Sequence, residues 1–154
     1  RPLGKRLLRG VVAAYGVMDI YAWYQYLLDN DFDTTDSLSV RVYGTGPEDK
    51  PEAFAKRQAL SLIDELGPAP IMLVQGEKDR IVPVEQAETM AAALKKAGRT
   101  QDLLRVYPEG AHGFLFWDDP ALHTKEELAA SEKAWRDILQ FFKATVGTKA
   151  TGRD

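Results

Sequence analysis

Residues 70–98, PIMLVQGEKDRIVPVEQAETMAAALKKAG, hold a strand, a loop and a helix in succession. PIMLVQG is a continuous apolar run bounded by Pro and Gly, the pattern of a strand covered on both faces. EKDRIVP is a polar connection. Pro83 then stands where a first helical turn starts, Glu85 and Glu88 favour its N-terminus, and Gly98 closes VEQAETMAAALKKAG as a left-handed cap.

Two further strands flank this unit. Upstream, LLRGVVAAYGV (7–17) is a valine-rich run closed by Gly16, again expected to be buried on both faces. Downstream, LLRVYP (103–108) supplies the third. Between the first two lies a long segment with Tyr21, Trp23, Tyr24, Tyr26 and Phe32 among scattered Asp, Gly and Pro, which reads as an irregular excursion over about 19–50 with at most a short helix. Residues 51–66 show a rough helical period that GPAP ends, implying a broken helix. Thr124 and Glu127 form a T-x-x-E capping box ahead of a long C-terminal helix, whose expected core face carries Leu128, Trp135, Ile138, Leu139, Phe142 and Val146. Alternating strands and helices imply an α/β fold, a parallel sheet of about three strands flanked by helices. One domain over 1–147 with a polar tail at 148–154 is expected.

Composition excludes several function classes. The 20 basic and 23 acidic residues are interspersed, so no stripe marks nucleic acid or a membrane surface as partner. No apolar run approaches the ~18 residues of a spanning helix. A soluble, cytoplasmic protein is expected. The absence of cysteine excludes disulfides and thiolate chemistry. Two histidines without ligand spacing or clustered carboxylates suggest no metal site. No glycine-rich loop follows a strand, which disfavours a nucleotide-binding module.

In open parallel sheets, ligands bind beyond the carboxyl ends of the strands. Asp79 follows the second strand and His112, in VYPEGAHGF (106–114), follows the third. Adjacent parallel strands put both loops on one rim, where a carboxylate and an imidazole can meet. Either residue has a plainer reading: an Asp in GEKDR can be a turn former. Tyr21, Trp23 and Tyr24 are candidates for lining a substrate pocket, although packing of the excursion onto the domain accounts for them more simply. Asp19 reads as a turn residue and His123 as solvated.

The two stretches 70–98 and LLRVYPEGAHGFLFW (103–117) together resemble the C-terminal part of an α/β-hydrolase, of the branch holding prolyl oligopeptidase-like (S9) peptidases and dienelactone hydrolase-type esterases. LRGVVAAYGVMD (8–19) and VYGTGPEDKPEAFAKRQAL (42–60) extend the likeness. The resemblance implies a triad in the order Ser, Asp, His, with Asp79 as acid and His112 as base, no cofactor, and a small ester or peptide as substrate. It also implies that the small residues Gly110, Ala111 and Gly113 bring the ring close to the nucleophile. The family's G-x-S-x-G elbow is missing: none of Ser37, Ser39, Ser61 and Ser131 has glycines at minus two and plus two. The chain therefore reads as the acid-and-base portion of a larger hydrolase, inert alone, whose first strand, exposed as an edge, favours self-association. The alternative is an α/β module that lacks a nucleophile and binds a partner.

Overall fold

The computed structural model of the chain describes residues 8–30, 46–116 and 119–146. Residues 31–45 of the excursion, with Phe32, Ser37 and Ser39, and the tail at 148–154 lie outside the described residues. Strands β1 (Val11–Ala14), β2 (Ile71–Gly76) and β3 (Leu103–Tyr107) form one parallel sheet in that order. The helices are α1 (Ile20–Asp29), α2 (Pro51–Ala55), α3 (Val84–Lys96) and α4 (Lys125–Val146), with a 3-10 segment over Ala59–Glu65.

β2 is central, with Val11 aligned to Ile71 and Met72 to Leu103. Its side chains alternate as a strand requires. Met72 and Val74 pack with Tyr107, Phe114, Ile138 and Phe141 on the α4 face, while Leu73 packs with Met18, Met90 and Leu94 on the α3 face. Full burial of a side chain such as Met72 or Phe114 contributes about 1.5–3 kcal/mol. β1 departs from its expected burial: all four of its residues are half-buried, because β2 is its only neighbour among the described strands.

The excursion is more regular than its composition suggests. Asp19 caps α1, its Oδ1 accepting from the Tyr21 and Ala22 amides at 3.1 Å each. The start of the helix is fixed from outside, with Gln86 Oε1 accepting from the Met18 and Asp19 amides and Gln58 Oε1 from that of Ile20. Residues 51–66 do break, into α2 and the 3-10 segment. Gly98 ends α3 at φ +78°, the left-handed conformation that glycine adopts without strain.

The capping box of α4 is formed: Thr124 N donates to Glu127 Oε2 at 2.8 Å and Glu127 N to Thr124 Oγ1 at 3.2 Å. Thr124→Ala removes one of these bonds and is expected to cost about 1 kcal/mol, read as a lower urea midpoint; an unchanged midpoint would contradict this. The buried face of α4 is a correction. It carries Ser131, Ala134, Ile138 and Phe141, whereas Trp135, Leu139, Phe142 and Val146 lie exposed and Leu128 is half-buried. The small Ser131 and Ala134 let the helix axis approach the sheet, and the bulky stripe is rotated away. Apolar character covers more than one stripe of α4, so periodicity alone does not select the packed one.

Candidate active site

The loop after β2 carries Asp79, whose side chain is fully buried. Its two oxygens serve different contacts, one the turn and the other the imidazole of His112. Oδ1 accepts from the Ile81 and Val82 amides at 2.9 and 2.8 Å, which shapes the loop into α3. Oδ2 accepts from Gln75 Nε2 at 3.0 Å and lies 2.9 Å from His112 Nδ1. A carboxylate oxygen only accepts, so this contact sets the proton on Nδ1 and leaves Nε2 with a lone pair. The His112 side chain is 41% exposed. A carboxylate that orients a partly exposed imidazole is an arrangement suited to general base chemistry.

The two loops meet because two glycines touch. A Cβ on Gly76 would lie 2.2 Å from the Gly110 carbonyl oxygen, and one on Gly110 would lie 2.9 Å from Gly76 Cα. Lys78 N donates to Gly110 O at 2.9 Å, Glu77 N and Gly110 N both donate to Tyr107 O at 3.0 Å, and Lys78 pairs with Glu109 at the surface. Gly110 is thus needed for the close approach of the backbones. Gly113 has a different requirement, turning the chain at φ +77° directly after the histidine.

The aromatic residues of α1 hold the acid loop from behind. Trp23 is buried and its Nε1–H donates to Ile81 O at 2.8 Å, while the Tyr26 hydroxyl donates to Arg80 O at 2.9 Å. Burial first, and then the field of Asp79, raises the Tyr26 phenol above its ordinary pKa and keeps it a donor. Tyr24 packs edge-on against Phe54, and the exposed Tyr21 ring lies 6.0 Å from the same ring. Trp23 also packs with Ile20, Leu27 and Phe54, and Tyr24 lies against the same cluster. His123 sits 3.7 Å from Glu127 at the start of α4, half-buried. Among the described residues no group of acidic and histidine side chains is placed to hold a metal, and no helix is long and apolar enough to cross a membrane.

Two residues at the site are absent from the sequence reading. Gln75 is fully buried, and its Nε2 donates to both Asp79 Oδ2 and Val82 O, at 3.0 and 2.7 Å. A polar residue inside the apolar run PIMLV-Q-G was the available signal. Tyr15, at the carboxyl end of β1, places its ring 5.4 Å from that of His112 and accepts from the Leu115 amide at 2.6 Å. Its signal was position alone, since all three strand ends share one rim.

Compared with known proteins, the chain matches the model of the prolyl oligopeptidase family over residues 4–148. A protein of Escherichia coli (strain K12), provisionally named a carboxymethylenebutenolidase, is 31% identical over 112 residues, which are 73% of this chain and 39% of that protein. The chain thus spans about two fifths of the length of the curated relative. The acylaminoacyl peptidase of Pyrococcus horikoshii superposes with a TM-score of 0.74 at 18% identity, over 98% of this chain and 22% of its own. A puromycin-hydrolyzing peptidase of Mycobacterium tuberculosis does so with a TM-score of 0.65 at 21% identity, over 94% and 20%. Likeness at these identities carries the fold, that of the α/β-hydrolases.

Proposed function

Since the chain belongs to the prolyl oligopeptidase family, we propose that Asp79 and His112 are the acid and base of a serine hydrolase triad that cleaves an ester or peptide bond, its nucleophile lying outside these 154 residues. The observation that carries the reading is the 2.9 Å contact between Asp79 Oδ2 and His112 Nδ1 at the carboxyl rim. His112 Nε2 takes the proton of the attacking hydroxyl and returns it to the leaving group, while Asp79 holds the tautomer and stabilises the imidazolium. Among the described residues neither serine stands free as a nucleophile at the rim: Ser61 donates its hydroxyl to Gln58 O, and Ser131 lies on the buried face of α4.

The test is covalent labelling. Treated with a fluorophosphonate probe and an activated ester, the 154-residue chain is expected to stay unlabelled and inert, because its base has no hydroxyl to activate. Expressed together with the residues that precede it in its reading frame, it is expected to yield one stoichiometrically labelled serine. Labelling of Ser37, Ser39, Ser61 or Ser131 in the short chain would overturn the assignment of an outside nucleophile. A longer protein that labels nowhere would favour a binding module over an enzyme.

A further inference from the structure

Tyr15 is the one non-glycine residue with positive φ among the described residues, at +53°. Residues other than glycine hold this conformation where the surrounding structure over-determines it. Its effect here is visible in the packing. In a regular strand Tyr15 would follow Ala13 onto the α3 face, because alternate residues share a face. Instead it packs with Val12 and Ala14 against the α4 cluster, while Ala13 faces the other way with Val11. The reversal delivers the ring to the His112 loop.

There Tyr15 makes two contacts. Its ring lies 5.4 Å from the imidazole and 5.5 Å from Phe114, and its Oη accepts the Leu115 amide at 2.6 Å. The Leu115 carbonyl is held in turn by Trp135 Nε1–H at 2.9 Å, so the turn that follows His112 is gripped at both ends of one residue. We infer that Tyr15 is a positioning residue for the base: the left-handed turn at the end of β1 exists to set its ring and hydroxyl against the His112 loop, which holds the imidazole on Asp79. The inference rests on the acid–base reading above. Burial raises the Tyr15 phenol well beyond its ordinary pKa, against the opposing bond from Leu115, so the hydroxyl stays uncharged.

The chain has only two histidines, so imidazole nitrogen NMR on the 154-residue protein reads His112 directly, with His123 as internal reference. In the parent chain His112 is expected almost wholly as the Nδ1–H tautomer with a downfield, hydrogen-bonded proton. Tyr15→Phe keeps the ring and loses the bond to Leu115; it should shift the ratio of Asp79-bonded to free imidazole by about tenfold, the scale of one net hydrogen bond. Tyr15→Asn tolerates the positive φ and loses both contacts, and should shift it further. Leu94→Ala, which empties a buried position at the far end of α3, controls for mere loss of stability and should leave the His112 signals in place. If both Tyr15 variants keep the parent's tautomer and bonded proton, the positioning role is wrong. If the parent itself lacks the bonded Nδ1 proton, the acid–base reading fails first.

Discussion

Asp79→Asn is expected to lower turnover of the intact hydrolase by about 10⁴-fold with little change in fold. The size follows from what converges on the side chain. Oδ1 receives two backbone N–H groups, and Oδ2 receives Gln75 Nε2 and His112 Nδ1. An amide must turn its NH₂ to one of these sides. The two backbone donors cannot rearrange without breaking the loop, so the amide oxygen stays with them and the NH₂ faces His112. Donor then meets donor, and the imidazole relieves the conflict by carrying its proton on Nε2, the nitrogen that has to act as base. Gln75 can turn its amide over to accept from the new NH₂, since its buried Oε1 has no protein partner, at the cost of its bond to Val82 O. Steady-state kinetics with an activated ester would measure the loss, and imidazole NMR would show the tautomer exchanged. A loss of less than tenfold would mean that Asp79 does not orient the base.

Gly76→Ala carries the largest expected effect on stability. The new methyl would sit 2.2 Å from Gly110 O, 2.5 Å from Gly110 C and 3.0 Å from its Cα, all of them backbone. No flexible side chain is available to give way. Relief requires the two loops to part, which strains the amide bonds from Glu77 and Lys78 and pulls His112 from Asp79. A destabilisation on the order of 3 kcal/mol follows for overpacking of this kind, seen as a lower urea midpoint with an unchanged slope. A variant as stable as the parent would show that the contact between the glycines can relax without cost.

Much of this was legible in the chain itself, and for specific reasons. The strand–loop–helix order of residues 70–98 was readable because the uninterrupted apolar run, Pro83 and Gly98 each report a local constraint. The capping box at Thr124 is local in the same sense. Asp79 and His112 could be paired because parallel neighbours bring equivalent loops to one rim, a property of topology more than of either residue. What escaped depends on contacts between distant segments. The rotation of α4 is set by how closely Ser131 and Ala134 let it approach the sheet. The half-burial of β1 depends on its having one neighbour among the described strands, and the ten-residue helix within the excursion is held by Gln58 and Gln86 from outside it. Tyr15 was hidden for a further reason, since a single reversed φ undoes the alternation by which a strand is read.

The seam between Gly76 and Gly110 also bears on the order in which the molecule assembles. Asp79 and His112 are 33 residues apart, on the ends of two consecutive strands joined by one helix. Bringing such near positions together costs little loop-closure entropy, and contacts of short sequence separation form early relative to distant ones. The β2–α3–β3 crossover therefore brings Asp79 and His112 together within a single local folding unit. On the function proposed above, a nucleophile from another part of the protein would meet a finished pair, and the triad would be completed by one docking event in place of two.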